Sequence, residues 1–528
     1  MALLRSIATV GVFTLISRVL GFVRDMLIAA VLGAGAGADV FFVAFKLPNL
    51  FRRLFAEGAF NLAFVPMFAG RLEEHGLARA KQFSDNAFSV LFWTLLAFVI
   101  AVEIAMPLVM MGFAPGFIAE PGKFDLAVQI TRITFPYILL ISLVSLMAGV
   151  LNSLDRFAAA AATPILLNLC LIGAVLWLAG VAKTPSHALA WGVAAAGVVQ
   201  AAWLYVACGR AGVWMRLPRP RLDADVRQLI RRMLPVALGA GIYQINLIVD
   251  TIIASLLPTG SIAYLFYADR VNQLPLGVIG VAVGTALLPL LSRQVRAGDH
   301  KAAEWSQNRA LEFSLLLTLP AAAALMVIAH PVIRVLFERG QFGPHETAAT
   351  AAALAVFAAG LPAYVLVKAL APGFFAREDT ATPVRIAVAC LVVNLILNLI
   401  LMGPLKHVGI ATATAVSSWL NALLLAFVLR RRGHLALDAR LARRLPRIVL
   451  AAAGMALVLY LALGPMEAPL GGRTWERAAA LAALVTGGLV VFGGLVLVLG
   501  AARIGDLKSL YRGGGPAVEA RPDAASNP

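Results

Sequence analysis

The chain has 528 residues, 61% hydrophobic and 13% charged, with a mean hydropathy of +0.87. An ordinary globular chain is about 25% charged, so a water-soluble fold of this composition could not cover its own surface, and a polytopic membrane protein is what remains. Lysine and arginine number 44 against 27 acids, a net charge of +17, which would suggest nucleic acid in a soluble chain but must here first be divided between the two sides of a membrane.

Apolar runs of roughly 20 residues, rather than alternating ten-residue segments, select helices over a barrel. About 14 transmembrane helices are expected. The first six lie at 7–33, 38–70, 83–112, 125–151, 161–182 and 187–208. The next six lie at 229–257, 262–292, 310–337, 347–376, 383–403 and 409–430, and two more follow at 446–464 and 476–502. The first run is long and contains Arg18 and Arg24, which suits a retained helix better than a cleaved leader. The tail 506–528 is rich in Gly, Pro and Ala and is expected to be disordered. Cys170, Cys208 and Cys390 fall in apolar stretches and read as buried free thiols, and the histidines show no metal-ligand spacing.

An even number of spans puts both termini on one side. Segments on that side carry dense arginine, including seven between positions 210 and 232 and seven between 430 and 447. The opposite side holds only Lys123, Lys183, Arg339, Lys406 and Arg473. Both termini are therefore expected in the cytoplasm, and the nucleic-acid reading falls away.

The chain repeats itself. DMLIAAVLGAG (Asp25–Gly35) aligns without gaps to DTIIASLLPTG (Asp250–Gly260), with five of eleven positions identical. Six helices per repeat give two halves of parallel orientation, an arrangement that suits a transporter with a site between repeats. The expected organisation is an N-terminal lobe at 1–225, a C-terminal lobe at 226–440, and two extra helices at 441–505.

Charges inside the spans locate the chemistry. A central arginine costs roughly 2.5–3.5 kcal/mol on an insertion scale, so it faces a cavity or a partner rather than lipid. Spans one, two and eight carry Arg18, Arg24, Lys46, Arg52, Arg53 and Arg270 against Asp25, Asp39, Glu57 and Asp269. Asp39, Lys46 and Arg53 recur every seven residues on one helical face, and Pro48 is expected to kink that helix. A purely structural network is the alternative, pairing Arg24 with Asp25, Asp39 with Lys46, and Arg53 with Glu57. Six basic groups exceed four acids, however, and the planar fork of arginine matches phosphate oxygens. The substrate suggested is a phosphate or pyrophosphate compound. No phosphate-binding G-x-x-x-x-G-K-[ST] loop and no nucleophile–base arrangement is present, so transport is favoured over an enzyme acting on a lipid phosphate.

Several stretches carry a resemblance. SRVLGFVRD (Ser17–Asp25), the run from Asp39 through FFVAFKLPNLFRRLFAEGAFNLAFVP to Pro66, FPYILLISL (Phe135–Leu143) and YADRVNQLP (Tyr267–Pro275) resemble the MurJ (MviN) family of lipid II flippases. That family belongs to the multidrug/oligosaccharidyl-lipid/polysaccharide exporter superfamily. The resemblance implies carriage of undecaprenyl-pyrophosphate disaccharide-pentapeptide from the cytoplasmic to the periplasmic leaflet of a bacterial inner membrane, by alternating access, for peptidoglycan synthesis. It implies substrate binding by Arg18, Arg24, Asp39, Arg52, Arg53, Glu57 and Arg270, with Ser17, Asp25, Lys46, Asp269 and Lys368 in support. It also implies a groove for the prenyl tail between the last two helices, and a functional monomer that meets lipid II, membrane lipids and cell-wall synthesis proteins. A sodium site would fall on Asp250, Asn394, Asn398 and Thr414, but Asn398 stands where an aspartate is expected, which weakens a hard-cation site. No organic cofactor is expected, and the membrane potential is the other candidate driver. A flippase for a different polyprenyl-pyrophosphate glycan and a drug exporter of the same superfamily are the remaining alternatives; a drug exporter would be expected to prefer an acidic cavity.

Overall fold

The structure, a computed structural model, describes residues 2–52 and 60–501; for 2–8, 236–243, 281, 282 and 285 only the backbone is described. The expected disordered tail at 506–528 lies outside these residues. The chain is an all-α polytopic membrane protein, with no strand longer than an isolated bridge among the described residues.

Sixteen α-helices follow in order among the described residues. The first eight are α1 (Ala2–Leu32), α2 (Ala36–Phe51), α3 (Asn61–Ile104), α4 (Met106–Phe113), α5 (Lys123–Thr134), α6 (Tyr137–Ser153), α7 (Phe157–Gly173) and α8 (Pro185–Arg210). The second eight are α9 (Ala224–Ser255), α10 (Ser261–Arg296), α11 (His300–Val327), α12 (Ala329–Phe337), α13 (Pro344–Phe375), α14 (Ala381–Arg431), α15 (Ala439–Gly471) and α16 (Thr474–Val498). Nine helical stretches among the described residues are long and apolar enough to cross a membrane. Two of them are too long for a single crossing. At 1.5 Å per residue, the 44 residues of α3 and the 51 of α14 would run roughly 66 and 76 Å, against a hydrocarbon core of about 30 Å. Each is broken where a turn between crossings is required. Gly76 in α3 adopts φ 75°, open to glycine without strain, and Lys406 in α14 adopts φ 50°.

By contact the chain forms two compact units. The first comprises Met1–Tyr267, Leu336–Ala349 and Asn398–Ile410; the second comprises Ala268–Val335, Thr350–Leu397 and the residues from Ala411 on.

In the first unit α1 packs on α7, α2 on α5, α3 on α6, and α6 and α7 on α8. Its interior is aromatic. Phe60, Phe68 and Phe83 each stack on Phe64, and Phe42 stacks on Phe266 with centroids 3.8 Å apart. The end of α1 is fixed by Gly33, at φ +60°, where a side chain would meet the carbonyl of Gln341. Gln341 donates its backbone N–H to Ala30 at 2.8 Å, and the Tyr267 hydroxyl donates to the Gly33 carbonyl.

Between α8 and α9 the chain runs as an extended strap across α3. Asn86 accepts from the backbone N–H of Arg221 and donates to its carbonyl, Asp85 accepts from the N–H of Arg216, and the Ser89 hydroxyl donates to the Pro218 carbonyl. Val213 and Met215 point inward, while Trp214, Arg216, Arg219 and Arg221 are exposed.

In the second unit Ile279, Val283, Leu287 and Leu291 recur every four residues and present one face of α10 to Val365, Leu370 and Phe374 of α13 and Leu425 and Leu429 of α14. The pair α15–α16 joins α11 through Ile448, Ala451 and Val496. Outer residues of that pair, among them Leu461, Leu489 and Val498, are exposed and apolar, as a lipid-facing surface requires. Glu312 of α11 receives Arg309, Arg440 and Arg444, and Arg309 also reaches Asp438. This buried charge cluster fastens the start of α15 to α11.

Candidate substrate site

The charged face of α1 is built around Arg24. Arg24 is 6% exposed and Asp25 2% exposed. Nε and Nη2 of Arg24 donate to Asp25 Oδ1 at 2.9 and 2.7 Å, and Nη1 donates to Oδ1 of Asn168 on α7 at 2.9 Å. Asn168 in turn donates to the Ser17 carbonyl at 2.9 Å. The expected pairing of Arg24 with Asp25 is formed, and the structure adds an amide from another helix that the sequence pattern did not reveal. Arg18, one turn and a half earlier, is exposed.

On α2, Asp39 and Lys46 do not pair with each other. Asp39 is 2% exposed and accepts from the backbone N–H groups of Gly260 and Ala263 at 2.8 and 3.0 Å and from Lys123 Nζ at 3.3 Å. The first turn of a helix leaves N–H groups without intrahelical partners and carries partial positive charge, so a carboxylate there is well placed. Asp39 supplies it to α10 from a different helix. Lys46 instead donates to Thr251 of α9 at 2.9 Å. Seven-residue spacing put the two charges on one face of α2, but neighbouring elements supply closer partners to each.

From its position between spans, Lys123 is expected in a loop on the side opposite the termini. It is 4% exposed, and its ammonium also reaches Glu120 and Thr259, each at 3.0 Å, and lies over the Phe117 ring. The local signal was Glu120 three residues before it, across the Pro121-Gly122 turn; the partnership with Asp39 leaves no trace in local spacing.

Arg52 is half-buried at the end of α2. Arg53 and Glu57 lie outside the described residues. In the second unit, Arg270 and Asp269 are half-buried on α10, with Asp269 accepting from Gln273, and Lys368 of α13 is exposed and lies beside Gly280. Arg132 of α5 lies within electrostatic reach of Glu103 of α3.

Of the four residues considered for sodium, Asp250 and Asn398 fall in the first unit and bond each other. Asn398 Nδ2 donates to Asp250 Oδ1 at 3.0 Å, and Asn246 donates to Oδ2 at 3.2 Å. Asn394 and Thr414 fall in the second unit, where the Asn394 amide donates to Ser417 and the Thr414 carbonyl accepts from Ser417 and Ser418. A carboxylate facing two amide nitrogens suits a hydrogen-bonded cluster better than a hard-cation cage, which needs several oxygens turned inward. No group of three or more His, Cys, Asp or Glu able to hold a metal occurs among the described residues.

Comparison with known proteins bears on the whole chain. The model of the family described as lipid II flippase MurJ matches residues 28–471. A probable lipid II flippase MurJ from Rhizobium meliloti (strain 1021) is 48% identical over 520 residues, covering 97% of both chains. Among solved structures, a lipid II flippase MurJ in an inward closed conformation superposes with a TM-score of 0.74 at 24% identity, covering 93% of this chain and 99% of that one. An inward-facing multidrug resistance MATE family transporter of the MOP superfamily superposes with a TM-score of 0.66 at 14% identity, covering 79% of this chain and 94% of that one.

Proposed function

We infer function from one premise: this chain belongs to the lipid II flippase MurJ family. It is a transporter and not an enzyme. It carries lipid II across a bacterial membrane and so serves cell-wall synthesis. The observation that supports this reading from within the molecule is a buried arginine, Arg24, held by side chains inside an apolar helix layer.

Arg18, Arg24 and Arg52 of the first unit meet the pyrophosphate of the substrate, with Arg53 and Glu57 contributing from the second expected span. Bidentate hydrogen bonds from guanidinium groups in a dry site supply affinity and orientation. Asp39 acts on the protein itself, by holding the start of α10. The prenyl tail stays in the bilayer or in the groove of α15 and α16, and access alternates between the leaflets. Both termini face the cytoplasm of a cell with an inner membrane. The protein works as a monomer beside cell-wall synthesis proteins, and the membrane potential drives the return of the empty carrier.

Depletion in cells tests the substrate. Accumulation of lipid II in the cytoplasmic leaflet is expected, measured by its accessibility to an external lipid II-degrading enzyme. Accumulation of a different polyprenyl-pyrophosphate glycan, with lipid II still reaching the outer leaflet, would favour the related-glycan reading instead.

A further inference from the structure

Asn168 sits within α7 among Ile165, Leu166, Leu167, Leu169 and Leu171. An amide there must satisfy both its oxygen and its nitrogen inside the helix layer, since unpaired polar groups are costly in an apolar medium. It is 4% exposed and does both against one helix. Its oxygen accepts from Arg24 Nη1, and its nitrogen donates to the Ser17 carbonyl and lies 3.5 Å from the Ser17 hydroxyl. Ser17, Gly21 and Arg24 are spaced i, i+4 and i+7, so they form one face of α1, and Gly21 lies directly under the amide.

The two partners of Arg24 have different consequences. Asp25 meets the Nε–Nη2 edge and offsets the charge. Asn168 is neutral, so it fixes the direction of the guanidinium and leaves its charge in place. The bonds described account for three of the five N–H groups of a guanidinium, and a phosphate oxygen can meet the other two. A long side chain ordered before the ligand arrives does not lose that freedom on binding.

We propose that Asn168 is a positioning residue that pre-orients Arg24 for the diphosphate of the substrate. This rests on the reading that Arg24 binds the diphosphate. The expected effect of losing one pre-ordered side chain is a two- to roughly ten-fold loss of affinity.

The test uses the full-length protein in nanodiscs, with undecaprenyl pyrophosphate as the probe. Affinity and the ligand-free heat-unfolding midpoint are measured for wild type, N168A, R24A and the double variant. Positioning predicts weaker binding in N168A and no further loss when N168A is added to R24A, since the effect acts through that arginine. Equal loss in both backgrounds, or a lowered midpoint with wild-type affinity, overturns the proposal and leaves an ordinary interhelical bond. Wild-type affinity in R24A would remove the underlying reading of Arg24 itself; weak binding by R24A beside normal binding by N168A would remove only the role of Asn168. N168D supplies the test if N168A does not accumulate. It keeps an oxygen toward Arg24 but adds a second negative charge and sets a carboxylate oxygen against the Ser17 carbonyl in place of the amide N–H, so the midpoint should drop somewhat and affinity for the diphosphate should fall. Unchanged affinity in N168D refutes the proposal.

Discussion

Replacing Lys123 with methionine should loosen the first unit where α2, α5 and the α9–α10 turn meet. The ammonium is 3% exposed and the Asp39 carboxylate 2%, with 3.3 Å between them. Removing one member of a buried ion pair costs about 3–5 kcal/mol, because the other charge is left in a poorly solvating site. Asp39 keeps its bonds to the N–H groups of Gly260 and Ala263 and the favourable end of the α10 dipole, so we expect the lower end, about 3 kcal/mol. D39N should cost less, since Lys123 retains Glu120 and Thr259. In the double variant neither charge is stranded, so K123M/D39N should be more stable than the two separate losses added together. The assay is heat unfolding of the purified full-length protein across the four-member cycle. A K123M protein as stable as wild type, or strictly additive losses, would refute the reasoning.

Four further outcomes can be checked. E312A removes the carboxylate on which Arg309, Arg440 and Arg444 converge; a loss of about 3 kcal/mol or more and faster hydrogen exchange at the start of α15 are expected, and wild-type exchange there would count against the cluster as a fastening. The hydrogen bond from Arg71, helped by the charges of Arg71 and Arg79, holds the Asp225 carboxyl below its ordinary range. A depressed pKa gives stability that is present above the unfolded value of about 4 and is lost as pH falls toward the folded value; D225N should flatten the acid-side fall of the unfolding midpoint, and an unchanged profile would show that the pair does not contribute. In a background lacking Cys170, Cys208 and Cys390, R219C and R432C should resist an impermeant thiol reagent in intact cells while K183C and R473C react; the reverse pattern would invert the orientation drawn from arginine density. In proteoliposomes at fixed sodium and pH, an inside-negative potential should raise multiple-turnover flipping, since one charge moved through 100 mV is worth roughly 2.3 kcal/mol; an unaltered rate would exclude the potential as the driver.

Fold class was legible because composition and run length act locally: apolar stretches long enough to span must fold as helices in lipid. The break at Gly76 was foreshadowed by the polar segment between the second and third spans. Site residues were legible only one helix at a time. Arg24 beside Asp25 could be read from adjacency. Asn168 could not, because it lies 144 residues away and looks like any other polar residue in an apolar run. The pairing of Asp39 with Lys46 failed for the same reason. Spacing identifies which charges share a face, whereas their partners are chosen by which elements pack against that face, and Lys123 arrives from 84 residues along the chain. The extra C-terminal helices are visible as apolar runs, but their fastening through Glu312 depends on Arg440 and Arg444, which in the sequence belong to a run of arginines that signals only topology.

The strap between α8 and α9 bears on how this molecule could be imaged. Loops that join membrane helices usually offer a binder only a shifting target. Here the side chains of Asp85, Asn86 and Ser89 grip the backbone at Arg216, Pro218 and Arg221, so the ridge of Trp214, Arg216, Arg219 and Arg221 keeps a defined shape. A nanobody or designed helical binder with an acidic, aromatic paratope raised against that ridge would act as a rigid fiducial for single-particle alignment. Particles of a 55.7 kDa protein, otherwise masked by detergent, could then be oriented. N86A, which releases the ridge without altering its exposed surface chemistry, would be the control that abolishes recognition of shape while leaving charge intact.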